Sequence, residues 1–397
     1  MTESEKMRLP DSFLVGASTS AHQIEGENTT SDWWMFEQMR PERLEPSGRA
    51  VDSLHRWGED MDLVAATGLD AYRFSVEWAR IEPAEGEFSA ERIDHYRRMV
   101  AGALERGIEP VVTLHHFTNP AWFFAGGGWL RPDAADRFSR YLEHVAPVLD
   151  EGVRTAITIN EPNMVAIMHR AITGDLDLQD GLGGGLPLPD ERVRDVLLRV
   201  HDDARAQLKA QHPALATGWS PANQDVQSIP GGEERAAAYR EAIEDVWLRA
   251  AVGDDIIGVQ SYTRNVFGPD GFVQPGPEAP RTSNGWEYWP SAVGEAVRHT
   301  AEVVPEVPIL VTENGISTND DAQRIAYTTG ALRSIGECLA DGIDVRGYLH
   351  WSLLDNYEWG RWQPTFGLVA VDRATFARTP KPSLAWLGEI ARTRMVP

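Results

Sequence analysis

Eight short runs of β-forming residues, separated by stretches with helical spacing, constrain this chain more than any other feature. The runs fall at 13–19 (FLVGAST), 72–78 (YRFSVEW), 110–116 (PVVTLHH), 154–160 (RTAITIN), 216–222, 256–263 (IIGVQSYT), 308–313 (PILVTE) and 347–354 (GYLHWSLL). Helical patterns cover 89–106, 133–151, 190–211, 232–252, 291–303 and 320–341, with Gly or Pro at their ends. Strands that alternate with helices make parallel sheets with crossover connections, and eight such units close into an α/β (β/α)8 TIM barrel. A doubly wound open sheet is the alternative. No Ser/Gly linker, charge run or low-complexity tract divides the sequence, so one barrel domain over 1–397 is expected.

Composition narrows the function classes. Sixty Asp plus Glu against 37 Lys plus Arg give a formal charge of −23, which disfavours nucleic acid and anionic lipid. The polar start, MTESEKMRLPDSF, and the lack of a long apolar run point to a cytoplasmic location without a membrane span. Cys338 is the only cysteine, which rules out intrachain disulfides and cysteine-rich zinc sites, and it reads as a small buried residue on a helix. His115 and His116 are adjacent on a strand and point to opposite faces, so they cannot chelate one ion together. No dinucleotide fingerprint follows the first strand, and the glycines of 174–189 lack the Lys and Ser/Thr of a phosphate loop. No cofactor and no metal are expected.

Barrel active sites form at the C-terminal ends of the strands, so the residues that close each run carry the chemistry. Glu161 lies in ITINEP (157–162) and Glu313 in ILVTENG (309–315), each where a β-run breaks into a loop. Two carboxylates so placed suit glycosidic bond cleavage, in which one protonates the leaving oxygen and the other attacks the anomeric carbon. The other run ends add Gln23 and Glu25, His115 and His116, Asn160, Gln260 and Tyr262, Asn314, and Trp351 followed by Glu358 and Trp359, and the second run carries Arg73. A lone strand-end carboxylate is commonly a helix cap or ion-pair partner. The recurrence of sugar-binding residue types, strand after strand, favours the functional reading.

Together these segments resemble glycoside hydrolase family 1, the β-glucosidase and β-galactosidase family of (β/α)8 enzymes, from about Phe13 to Asp372. The most specific stretches are NEP at 160–162, TENG at 312–315, WSLLDNYEWG at 351–360 and FGL at 366–368. The resemblance implies that Glu161 is the general acid/base and Glu313 the nucleophile of a retaining β-glycosidase, with a β-glucoside as the expected substrate. It further implies that Gln23, His116, Asn160, Glu358 and Trp359 hold the hydroxyls of the nonreducing sugar, with Gln260 in the same corner. Trp351 would form the platform under the sugar, while Arg73 and Tyr262 would keep the nucleophile ionised and oriented. A carboxylate beside a guanidinium and a phenol has its charged form favoured, whereas one facing a second carboxylate holds its proton, and the two roles follow from that difference.

Some positions depart from the family pattern. Gln260, Ser261 and Tyr262 stand where Asn-Tyr-Tyr is usual, Phe117 where Trp is common, and Val15 where an aromatic is usual; Arg154, Thr155 and Ala156 precede ITINEP where aromatics are common. The chain is also shorter than most relatives, which implies trimmed loops and a more open aglycone side. That side would draw on 120–130, 164–189, 222–227 and 264–290, with Trp122, Trp286 and Trp289 as candidate contacts. The competing readings are a barrel that binds sugar without turnover, a phosphoglycosidase in which Arg361 reaches the site, and transfer to an alcohol in place of water. The preferred sugar, the aglycone and the oligomeric state are not legible in the sequence.

Overall fold

A computed structural model describes residues 6–174 and 185–397 of the chain. Eight parallel strands form the central sheet: β1 (Leu14–Ser18), β2 (Ala71–Ser75), β3 (Glu109–Thr113), β4 (Thr155–Asn160), β5 (Ala216–Ser220), β6 (Ile257–Gln260), β7 (Ile309–Asn314) and β8 (Val345–Trp351). Their order is β5-β4-β3-β2-β1-β8-β7-β6, and a parallel bridge from Ala222 to Gln260 joins the two ends, so the sheet closes on itself. Each of the eight β-runs read from the sequence contributes one strand. The architecture is a (β/α)8 barrel rather than a doubly wound sheet.

Helices α1 (Ser53–Thr67), α2 (Ala90–Glu105), α3 (Ala134–Leu149), α4 (Glu191–Gln211), α6 (Ala292–Val303), α7 (Asp321–Ala340) and α8 (Pro382–Thr393) follow their strands. The segment between β5 and β6, α5, has three parts: Glu233–Arg240, the π-helical Glu241–Asp245 and Val246–Ala250. Helix α3 shows why such segments pack where they do. Phe138, Tyr141, Leu142, Val145, Val148 and Leu149 recur at helical spacing and are all buried, giving one apolar stripe against the sheet. Each methylene so removed from water stabilises the fold by about 0.8 kcal/mol.

Helices α1 and α8 are not among the helical segments read from the sequence. At Gly388 the glycine has a packing reason. An added Cβ would lie 2.2 Å from the Thr67 carbonyl oxygen, so α8 can cross the end of α1 only without a side chain there. The 264–290 connection, read as a loop, contains strand Arg264–Gly268. That strand pairs with Asp225–Ser228 on one side and Gly271–Phe272 on the other, because its backbone amides need partners once it folds over the barrel. Of the 174–189 connection, 175–184 lie outside the described residues.

The core has two parts. A large cluster fills the space between sheet and helices, while Ala71, Val111, Ile157, Ile256, Leu310 and Leu349 pack together inside the barrel. Two residues further along β2, β3 and β7, on the same inward face, come Arg73, Thr113 and Thr312. The interior thus changes from apolar to polar as the strands approach their C-terminal ends.

Candidate active site

Both catalytic candidates owe their direction to breaks in regular pairing. In β4 the register shifts between Ile157 and Asn160, and Glu161 follows with φ 41° and ψ 61° before helix Pro162–Thr173 begins. A proline at the first helical position steers its predecessor away from the right-handed helical region, and the left-handed conformation turns the chain abruptly from strand into helix. In β7 the register shifts beyond Val311 relative to both neighbours, with Glu313 opposite Gln260 and Asn314 opposite His350. Strict alternation would send Glu313 to the same side as Val311, which packs in the outer core. The irregularity lets Thr312 and Glu313 both serve the interior. Gly315 allows the turn that follows, since a Cβ there would lie 2.0 Å from the Trp351 carbonyl oxygen.

The two carboxyl groups differ in their partners. Arg73, fully buried on β2, donates from Nη1 to Glu313 Oε1 at 2.7 Å, and Tyr262 Oη donates to Oε2 at 2.8 Å. Among the described residues, no protein group donates a hydrogen bond to the Glu161 side chain. Arg73 reaches further, from Nε to Thr113 Oγ1 at 2.9 Å and from Nη2 to Asn160 Oδ1 at 2.5 Å. Gln260 Nε2 donates to the same Asn160 oxygen at 2.7 Å and to Thr312 Oγ1 at 3.2 Å. Asn160 Nδ2 lies 3.3 Å from His116 Nε2.

These contacts fix protonation states. Burial pushes Glu161 well above the usual carboxylate range, and the charge of Glu313 pushes it further. Burial also raises Glu313, but there the Arg73 charge and the hydrogen bonds from Arg73 and Tyr262 favour the charged form, so the shared proton resides on Glu161. Burial and the Glu313 charge hold the Tyr262 phenol protonated. His116 is pushed well below its ordinary value by burial and by Arg73. It is therefore neutral, accepts from Asn160 at Nε2, and carries its proton on Nδ1, a buried atom with no protein partner.

Further residues surround this centre. Trp351, at the end of β8, lies near-parallel to the His116 ring, with centroids 6.0 Å apart, and donates from Nε1 to Glu358 Oε1 at 3.2 Å. Glu358 is pushed up to about 8 by burial, with Glu313 adding to the effect, so at neutral pH it holds a proton. Trp359 has φ 47° and stacks near-parallel between His22 and His116, at 5.7 and 6.1 Å. Gln23 is fully buried; its Oε1 accepts from Ser20, and its Nε2 donates to Asn356 and to the Tyr357 carbonyl.

Other strand-end candidates point elsewhere. Glu25 is bound by Arg80 at 2.7 Å and Tyr96 at 2.9 Å. His115 packs edge-on to Trp129 and binds Asn119. Asn314 ties β7 to its neighbours, donating to the Ser261 carbonyl at 2.7 Å and accepting from Tyr348 at 3.0 Å. Of the aglycone candidates, Trp286 lies beside Tyr262, with centroids 5.6 Å apart. Trp122 bonds the Glu82 carbonyl, and Trp289 bonds Asp225 beneath the Arg264 guanidinium. Arg361 is exposed, and only its backbone pairs with that of Glu358.

Sequence reasoning missed Thr113 and Thr312, which the period-two pattern of β3 and β7 could have placed inward. It also missed Asp32 and Glu77. Asp32 accepts from Asn119 N at 3.0 Å and Nδ2 at 2.8 Å, and Glu77 accepts from Thr118 Oγ1 at 2.7 Å. They pin the turn that carries His116 and Phe117, and nothing local in the sequence links them to it. Among the described residues, no group of three His, Cys, Asp or Glu is arranged to hold a metal, and no helix is long and apolar enough to cross a membrane.

Comparison with known proteins places this geometry in context. The family model described as glycosyl hydrolase family 1 matches residues 5–213 and 257–396. Thermostable β-glucosidase B of Thermobispora bispora is 32% identical, over 97% of this chain and 91% of its own. The crystal structure of a β-glycosidase, BGL167, is 41% identical and superposes with a TM-score of 0.89 over 97% of both chains. The β-glucosidase of Thermotoga maritima in complex with deoxynojirimycin is 26% identical, with a TM-score of 0.86 over 98% of this chain and 99% of its own.

Proposed function

The chain belongs to glycosyl hydrolase family 1 and is a retaining β-glycosidase; from that premise we propose that it cleaves β-glucosides with Glu313 as nucleophile and Glu161 as acid/base. One observation carries the assignment of roles: among the described residues, two hydrogen-bond donors converge on Glu313 and none on Glu161. The first is thereby kept ionised and aimed, and the second keeps its proton.

In the first step Glu161 gives its proton to the glycosidic oxygen while a Glu313 oxygen bonds to the anomeric carbon, and the aglycone leaves as an alcohol. Esterification removes the negative charge that held the proton on Glu161. The Glu161 carboxylate then takes a proton from water, whose oxygen attacks the anomeric carbon from the face the aglycone left, and Glu313 departs as a carboxylate. Two inversions give net retention. Asn160 Nδ2 is a donor for the sugar 2-hydroxyl, where hydrogen bonds strengthen as the oxocarbenium-like state forms. His116 Nδ1, Gln23, Glu358 and Trp359 supply the remaining polar contacts, and Trp351 offers its face to the ring. That the Thermotoga maritima relative is solved with deoxynojirimycin supports a sugar ligand here.

A preference for unphosphorylated sugar follows from the cations available. Arg73 is committed to Glu313 and Asn160, His116 is neutral, and Arg361 is exposed. Glu358, protonated at neutral pH, offers a hydroxyl donor to the sugar rather than a negative charge. The test is a panel of nitrophenyl β-glycosides, including the glucoside 6-phosphate, with the product anomer followed by NMR. A β-anomer first product and a higher kcat/KM for unphosphorylated glucoside are expected. An α-anomer first product rejects the double displacement, and preference for the phosphate rejects the substrate class.

A further inference from the structure

Gln260 replaces the asparagine that the family pattern usually carries at this position, and its partners determine which way its amide faces. The Arg73 guanidinium can only donate, so the Asn160 atom 2.5 Å from Nη2 is the carbonyl oxygen and its amide nitrogen faces His116. A carbonyl oxygen can only accept, so the Gln260 atom 2.7 Å from it is Nε2. The Thr312 hydroxyl donates to Ser220 Oγ at 3.1 Å and therefore accepts the second Gln260 hydrogen at 3.2 Å. Both Gln260 hydrogens are thus committed to protein atoms, and the residue is 1% exposed.

We infer that Gln260 is a positioning residue that locks the Asn160 amide plane, so that Asn160 Nδ2 keeps one hydrogen aimed at the substrate 2-hydroxyl. The inference rests on the β-glycosidase reading above and deepens it. The terminal torsion of asparagine is broad, and without Gln260 the plane would be held only by Arg73 on the oxygen and by the long 3.3 Å contact of the nitrogen with His116. A second donor fixes it. Two donors on one carbonyl also polarise the amide, which strengthens the hydrogen bonds made by its N–H groups. Glutamine reaches Asn160 from β6, and its long side chain is what lets one amide span Asn160 and Thr312 together.

The experiment compares kcat/KM for nitrophenyl β-glucoside and its 2-deoxy analogue in Gln260→Met, Asn160→Ala and the double variant. Gln260→Met keeps the length and volume of the side chain and removes both donors. Loss of kcat/KM on the glucoside is expected to be about tenfold, as for one net buried hydrogen bond with its polarising effect, and under about twofold on the 2-deoxy substrate. The double variant should be no worse than Asn160→Ala alone. Equal losses on both substrates, or additive losses in the double variant, would overturn the inference, since a structural defect does not distinguish a 2-hydroxyl. Should the Met variant fail to fold, Gln260→Asn, one methylene too short to reach both partners, supplies the same comparison. Wild-type turnover of neither substrate would remove the function itself, whereas normal wild-type turnover with undiscriminating variants rejects only the role of Gln260.

Discussion

Replacing Tyr262 by Phe removes one hydrogen bond, from Oη to Glu313 Oε2 at 2.8 Å, and little else. The ring is held independently by Trp286 and Phe366, with centroids 5.6 and 6.0 Å away, and the Tyr262 carbonyl still accepts from Tyr327 at 2.7 Å. A hydrogen bond to a charged group contributes about 1.5–3 kcal/mol, and at about 1.4 kcal/mol per decade this corresponds to roughly 10- to 150-fold. The sign follows from which form is favoured. The phenol stabilises the Glu313 carboxylate, so without it the carboxyl takes up a proton at higher pH and the acid limb of the kcat/KM profile moves toward neutrality. On that limb Tyr262→Phe should therefore lose about 10- to 150-fold in kcat/KM, while on the plateau, where Glu313 is ionised in both proteins, the loss should be much smaller. The assay is a full pH profile with nitrophenyl β-glucoside, beside wild type. A loss of the same size at every pH, or an acid limb that stays in place, would refute the idea that Tyr262 acts through the charge on Glu313.

Glu313→Ala should abolish nearly all turnover, because no other group can form the glycosyl ester. Azide should restore part of it and yield an α-glycosyl azide, identified by NMR, and no rescue with full retention of fold would count against the nucleophile assignment. Glu161→Ala should still form the intermediate from substrates with acidic leaving groups, give a β-glycosyl azide, and lose about 10²- to 10⁴-fold on an alkyl glucoside that needs protonation. Full activity of that variant on the alkyl substrate would show that Glu161 is not the acid. Glu358→Gln should lose kcat/KM on glucoside through its sugar contact and flatten any change of KM near pH 8, where the buried carboxyl gives up its proton. A KM that still varies there would assign that ionisation to another group.

Much of the fold was legible because period-two and period-3.6 patterns are local. All eight barrel strands and six of the outer helices lie where those patterns put them, the strand-end rule pointed to Glu161 and Glu313, and the family resemblance added Arg73 and Tyr262. The close crossing of α1 and α8 at Gly388 was not legible, because the two helices lie far apart in sequence. The same blindness applies to Asp32 and Glu77, whose work is to hold a turn more than 40 residues away from either.

The sequence by itself determined the order of the strands, the apolar faces of the helices and the chemical types available at the barrel's mouth, because each depends on neighbours a few residues apart. Only the tertiary structure decided which of those groups meet. Alternation along β7 would have put Glu313 outside with Val311, and a shift of register against β6 and β8 turned it inward. Arg73 and Glu313 are 240 residues apart in sequence and hydrogen-bonded at 2.7 Å, and Gln260 and Asn160 are 100 apart and bonded. Which carboxyl keeps the proton depends on those distances and on the exclusion of water around them, and neither exists until the sheet has closed.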